Sequence, residues 1–114
     1  MSHGGIALGA RGERLATAWY VQHGYAVVAR NWRCDIGEID LIASRGRQLV
    51  IAEVKTRTSD RFGVPAQAVG VAKQRKLRRL AAAWLAASGD HYDEIRFDVV
   101  SIIGNAVEVI PAAF

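Results

Sequence analysis

No part of this sequence constrains the fold more than residues 37–57, GEIDLIASRGRQLVIAEVKTR. Two runs of aliphatic and β-branched residues flank the turn-forming residues 44–47, Ser-Arg-Gly-Arg. Apolar runs joined by a short glycine-containing turn predict a β-hairpin. Three charged residues interrupt the runs where a core strand would carry Val or Leu: Asp40, Glu53 and Lys55.

The turn also predicts how the two strands pair. A four-residue loop and a two-residue loop at Gly46-Arg47 give the same register. The predicted pairs are Ser44–Leu49, Ile42–Ile51, Asp40–Glu53 and Glu38–Lys55. Asp40 and Glu53 then face each other on one side, with Cβ atoms about 4.5–5.5 Å apart. Alternation places Ile39 and Leu41 on the other side. A slip of one residue is the alternative register.

The remaining patterns predict one small α/β domain spanning residues 1–114, with a central sheet of about five strands flanked by helices. Residues 62–70, FGVPAQAVG, contain Gly and Pro at loop spacing. The other predicted elements are a helix over Leu8–His23, a strand over Tyr25–Arg33, a helix over Val71–Ala87, and strands over Glu94–Ile103 and Ala106–Ile110.

Composition excludes some classes of protein and leaves others open. The chain carries 15 Lys and Arg against 11 Asp and Glu, a formal charge of +4, which is compatible with a polyanionic partner. It has no apolar run near the roughly 20 residues that cross a bilayer, and its start lacks the apolar segment of a secretory signal. The single cysteine, Cys34, excludes an internal disulfide. We therefore expect a cytoplasmic protein.

Facing carboxylates repel each other, so something must compensate their charge. The options are a proton shared between Asp40 and Glu53, a salt bridge to Lys55, or a divalent cation. Two carboxylates suit Mg²⁺ or Mn²⁺, which keep several waters and complete their shell with substrate phosphate. Lys55 would then lie beside the metal-bound water. The alternative is a solvent-exposed strand face without chemistry.

A wider set of residues resembles a known family. Asp40 followed by Glu53-Val54-Lys55 resembles the signature of the PD-(D/E)xK, or restriction-endonuclease-like, nuclease superfamily. Its context is similar to the bacterial YraN-type family, which is itself similar to archaeal Holliday junction resolvases. That context consists of Gly12-Glu13, Arg30-Asn31, residues 37–42, Thr56-Arg57, Lys73 and residues 96–100. Ile39 stands where the signature has proline.

The resemblance implies a restriction-endonuclease-like core and a metal-dependent DNA endonuclease, acting on branched or structured DNA in repair or recombination. Asp40 and Glu53 would bind Mg²⁺ or Mn²⁺ together with the main-chain carbonyl of Val54. Lys55 would be the catalytic lysine. Glu13 would supply the helix-borne acid that completes the site.

Several bases are predicted to contact nucleic acid. Lys73 lies in line with the apolar stripe of its helix and points towards the rim of the core; the others are Arg57, Arg30 and Lys76. Their structural alternatives are a snorkelling lysine and a solvated helix face. A homodimer would suit the two-fold symmetry of a four-way junction. The alternative functions are a non-catalytic nucleic-acid-binding module and an adaptor that binds another protein through residues 58–70.

Overall fold

The computed structural model describes residues 3–57 and 69–114. Helices and strands follow the predicted order, although the first helix begins five residues before the predicted Leu8. The predicted loop 62–70 and the predicted adaptor segment lie outside the described residues, except for Val69 and Gly70. The elements are α1 (His3–Gln22), β1 (Ala26–Arg33), β2 (Glu38–Arg45), β3 (Gln48–Arg57), α2 (Val71–Ser88), β4 (Glu94–Ile103) and β5 (Ala106–Ile110).

The described strands form one mixed sheet in the order β1-β2-β3-β4-β5. Neighbouring strands are antiparallel except for β3 and β4, which are parallel. A parallel pair needs a long crossover, and the segment that carries α2 supplies it. The predicted α/β class with a mixed sheet of five strands is therefore confirmed.

The two helices of the described chain cover opposite faces of the sheet. Alternate residues of β3 show this, because Val50 and Ala52 pack with α1 while Leu49 and Ile51 pack with α2. The apolar pattern of α2 predicts a buried stripe of Leu77, Leu80, Ala81, Trp84 and Leu85. The first four are buried, and Leu85 is partly buried against the same cluster. Neither helix is long and apolar enough to cross a membrane, within the residues described.

The buried carboxylate of Asp98 on β4 is hydrogen-bonded to α1. Asp98 is fully buried, and Arg96 donates to both of its oxygens at 2.8 Å. The Tyr20 hydroxyl of α1 donates to Oδ2 at 2.6 Å, and the Ala112 main-chain N–H donates to Oδ1 at 3.1 Å. Burial and the charge of Asp98 raise the pKa of Tyr20 above its ordinary value. The Arg96–Asp98 ion pair therefore also holds a helix and the C-terminal segment.

Gly12 brings α1 into close contact with the end of β3. A Cβ atom at this position would lie 2.1 Å from Oγ1 of Thr56 and 3.6 Å from Cγ1 of Ile102. Only glycine allows this approach without movement. The contact fixes the distance between α1 and β3, and Glu13 is the next residue of the helix.

We expect Gly12→Ala to lower the free energy of unfolding by about 1–2 kcal/mol, because overpacking outweighs the gain in helix propensity. Thr56→Ala removes the clashing oxygen and should restore most of the loss in the double variant. Urea denaturation measures both effects.

Gly9→Ala is the matched control on the same helix, because a Cβ atom there meets nothing within 4 Å. Alanine at this position should stabilise the protein by up to about 1 kcal/mol. Equal stability of the two alanine variants would contradict the close contact between α1 and β3.

Candidate functional site

Strands β2 and β3 separate before the predicted site. The observed ladder follows the predicted register from Arg45–Gln48 to Leu41–Ala52, and it ends there. The predicted Asp40–Glu53 and Glu38–Lys55 pairs are thus not part of the ladder. Beyond the end of the ladder, the Val54 N–H donates to Oδ2 of Asp40 at 2.8 Å, so a side-chain carboxylate accepts from it.

The carboxyl groups of Asp40 and Glu53 nevertheless meet. Burial, the charge of Glu53 and a side-chain hydrogen bond with Glu53 together raise the pKa of Asp40 to about 7, against the lowering effect of the Val54 N–H. The charge of Glu13 adds a smaller upward contribution to this pKa. Near neutral pH the pair therefore holds a proton that two separate surface carboxylates would release.

Two ammonium groups approach Glu53 from different elements. Lys73, in the first turn of α2, places its Nζ 3.4 Å from Oε2, and Lys55 places its Nζ 4.0 Å from Oε1. Glu53 itself is only 7% exposed. The acid is thus held between a strand lysine and a helix lysine, and its charge is more fully compensated than that of Asp40.

These groups open into a cleft of about 410 Å³ between the β1–β2 connection and α2. Its wall carries both signs of charge, and its lining residues are Arg33, Cys34, Gly37, Glu38, Asp40, Glu53, Lys73 and Lys76. Lys76 lies across Gly37, where a Cβ atom would come within 2.6 Å of its Cε. Arg33 and Glu38 form an exposed ion pair of 2.8 Å at the rim.

Some of the other predicted site residues line the cleft and others do not. Glu13 is near enough to affect the pKa of Asp40. In residues 3–57 and 69–114, however, no three His, Cys, Asp or Glu side chains form a group able to hold a metal ion. Arg30 is exposed on β1, and Arg57 ends β3. Of the four predicted nucleic-acid contacts, Lys73 and Lys76 line the cleft.

The sequence patterns did not predict that the connection between β1 and β2, which contains Cys34, lines the cleft. A tight connection brings Cys34 to the site: its N–H donates to the Gly37 carbonyl at 2.9 Å, and the reverse bond measures 3.2 Å. A sequence signal existed, because the short Cys-Asp-Ile-Gly segment joins two strands immediately before Asp40. Such a turn must place its residues beside the start of β2.

The arrangement can bind a hard cation or move a proton. A pair of adjacent carboxylates provides oxygen ligands of the kind that Mg²⁺ and Mn²⁺ take, and these ions need only one or two such groups besides water and substrate phosphate. Burial and the charge of Glu53 both disfavour the ionised form of Asp40. A bound cation would relieve this repulsion, so the donor set fits.

We expect Asp40→Asn to stabilise the metal-free protein at pH 8. The pKa of Asp40 is about 7 in the folded chain and about 4 in an unfolded one. The folded state therefore binds more protons between these values, and the parent protein loses stability as the pH rises from about 4 to about 7. Asparagine still accepts from Val54 but carries no charge. The gain should be about 2 kcal/mol at pH 8 and vanish near pH 4, measured by urea denaturation with EDTA.

Glu108→Gln serves as the control, because Glu108 is an exposed acid on β5, away from the cleft. Its stability should follow that of the parent protein at every pH. An Asp40→Asn variant that is less stable than the parent at pH 8 would contradict the repulsion between the two carboxyl groups.

The comparison with known proteins covers the whole site. The family described as Uncharacterised protein family UPF0102 matches residues 12–102. A UPF0102 protein of Rhodococcus jostii (strain RHA1) is 50% identical over 103 residues, which cover 90% of this chain and 86% of that protein. One of Mycolicibacterium vanbaalenii is 54% identical over 95 residues, covering 83% and 78%. One of Geobacter metallireducens is 43% identical over 112 residues, covering 95% and 92%.

These matches confirm the YraN-type part of the resemblance, whereas membership of the nuclease superfamily stays a prediction. The matched range begins at the contact of Gly12 with β3 and extends past Asp98. It therefore includes both carboxylates, both lysines that approach Glu53 and the buried ion pair. This chain belongs to the family UPF0102.

Proposed function

We propose that this chain is a metal-dependent endonuclease that hydrolyses phosphodiester bonds in DNA. The observation that carries the proposal is the contact of Asp40 and Glu53 in a cleft that is also lined by basic side chains, with the pKa of Asp40 raised to about 7. A structural role would favour apolar residues here, because ionised groups brought together with partial burial cost stability. A role in cation binding would explain why charged residues stand here despite this loss of stability.

Asp40 and Glu53 would hold Mg²⁺ or Mn²⁺, with the Val54 carbonyl and, less directly, Glu13 as further oxygen donors. When bound, such an ion supplies an activated water and charge compensation for a phosphate under attack. The Val54 N–H orients the Asp40 carboxylate before any ligand arrives, since it donates to Oδ2 at 2.8 Å. Preorientation of this kind reduces the rearrangement that ligand binding requires.

The lysines have separate parts in this proposal. Lys55 shares a strand with Glu53 and would orient the attacking water or neutralise charge on the phosphate in the transition state. Lys73 places its Nζ 3.4 Å from Oε2 of Glu53. A divalent ion on Glu53 would release the Lys73 ammonium to bind a phosphate oxygen.

The substrate is proposed to be branched or otherwise structured DNA, handled in the cytoplasm by a homodimer that matches two-fold symmetry. This part rests on the resemblance. Support from the fold is limited to charge: Lys76 lies at the cleft, and the exposed Arg75 and Arg79 lie near it on α2. Arg30 and Arg57 would extend the phosphate contacts along the sheet.

The test is cleavage of linear, single-stranded, flapped and four-way DNA in Mg²⁺ or Mn²⁺. We expect the parent protein to cut at least one substrate, and EDTA to abolish cutting. Asp40→Asn and Lys55→Ala should each reduce the rate at least about a hundredfold, because each removes an interaction made with the reacting groups. Gel electrophoresis of labelled strands measures the rate.

Glu108→Gln, purified in parallel, should cut at the parental rate. Absence of cleavage on all four substrates would overturn the proposal. Cleavage that survives both Asp40→Asn and Lys55→Ala would come from a contaminating nuclease and would equally remove the support for this site.

The second candidate is a nucleic-acid-binding module without catalysis, and the lysine-lined cleft favours it. In this case the parent protein binds DNA without cutting it. On either account Lys76→Ala should weaken binding to an uncut DNA several-fold in low salt, and the slope of log affinity against log salt should fall by about one. Fluorescence anisotropy with EDTA measures this, and Lys76→Arg is the charge-preserving control. An unchanged salt slope would place Lys76 outside the DNA contact.

A further inference from the structure

We propose that Asn31 is a positioning residue for Asp40. Its left-handed backbone stands where the side chains of the β1–β2 pair change faces, and it thereby holds the Asp40 carboxylate beside the Val54 N–H. The inference takes the metal-binding role of Asp40 from the proposed function, but the positioning itself is a property of the metal-free protein.

Asn31 has an unusual backbone for a strand residue. Its φ is +52°, in the left-handed region that residues with a Cβ atom rarely adopt. Asparagine tolerates this region better than other side chains, whereas a β-branched residue does not. Strained residues of this kind persist where the surrounding structure imposes them, and they are frequent beside functional groups.

Asn31 stands opposite Asp40. The pairs Arg30–Leu41 and Trp32–Ile39 have the same register, so the position between them joins Asn31 and Asp40. The ladder to β3 likewise ends at Leu41. At Asp40 the ladder to β3 has therefore ended, while β2 continues to pair with β1 in the same register through Ile39 and Glu38.

The packing on each side of this position shows the reversal. Regular alternation, as predicted from the sequence, would place Ile39 and Leu41 on one face of the sheet. Instead Leu41 packs in the cluster under α1, whereas Ile39 packs with Ile42 in the cluster under α2. Trp32, the partner of Ile39, also packs against the α2 cluster. The side chains of both strands therefore change to the other face of the sheet at Asn31 and Asp40.

Asp40 stands at the point of this exchange, and its side chain lines the cleft together with that of Glu53. Its carboxylate reaches sideways to β3, where it accepts from the Val54 N–H at 2.8 Å. An irregularity in one strand that redirects a side chain on its partner is a known use of bulges next to active sites. The alternative is that Asn31 only disturbs the free edge of β1 and prevents edge-to-edge association.

Hydrogen exchange of the Val54 amide tests the inference in the metal-free protein, because this amide reports the place of the Asp40 carboxylate. In Asn31→Val the left-handed backbone is strongly disfavoured, and exchange at Val54 should accelerate about tenfold or more relative to other β3 amides. In Asn31→Gly the backbone is retained without the side chain, so exchange should stay within about threefold of the parent. Asp40→Ala, which removes the acceptor, sets the upper limit of the effect.

Ala26→Val and Ala26→Gly are the matched pair on the same strand, at an exposed position without a positive φ. Neither should change exchange at Val54. Asn31→Ala provides a milder variant if Asn31→Val fails to fold, and its Val54 amide should exchange faster than that of Asn31→Gly.

Two results would overturn the inference. Parental protection of Val54 in both Asn31→Val and Asn31→Ala would show that the backbone of Asn31 does not place Asp40. Equal loss in Asn31→Gly and Asn31→Val would assign the effect to the amide side chain. Calorimetric titration with Mn²⁺ separates this from the proposed function: a parent protein that binds no Mn²⁺ would weaken the nuclease proposal, while the amide measurements would still decide the role of Asn31.

Discussion

The hydrogen bond from the Val54 N–H to the Asp40 carboxylate stands at the point where β2 and β3 separate. In a regular hairpin a main-chain carbonyl would accept there and the strands would continue side by side. Here a carboxylate accepts instead, where the regular β2–β3 ladder has ended, and Asp40, Glu53 and Lys73 line the cleft beside it.

Keeping two acids close together costs electrostatic free energy, and contacts on both faces of the sheet hold the surrounding strands in place. The sheet is anchored on one face by the buried Asp98, which binds α1 through Tyr20, and by the contact of Gly12 with β3. On the other face α2 supplies Lys73 as a counter-charge to Glu53. Rigid elements on both sides thus keep the two carboxyl groups close when their repulsion would drive them apart.

In the proposed function, this arrangement would be a binding site that a cation completes. The pKa of Asp40 is raised because its ionised form lacks sufficient compensation, whereas Glu53 is flanked by two ammonium groups. Residues that favour function over stability commonly show this pattern. The range matched by the family UPF0102, residues 12–102, contains both Asp40 and Glu53.

The sequence by itself determined the order of helices and strands, the hairpin turn, the apolar stripe of α2 and the three charged residues that mark the site. Those features are local, because alternation, helical spacing and turn residues act over a few positions. Only the tertiary structure decided where the β2–β3 ladder ends, that Ile39 changes faces, and that the turn holding Cys34 closes the cleft. These outcomes depend on contacts between distant segments and on the left-handed backbone of Asn31, for which a periodic sequence pattern carries no signal.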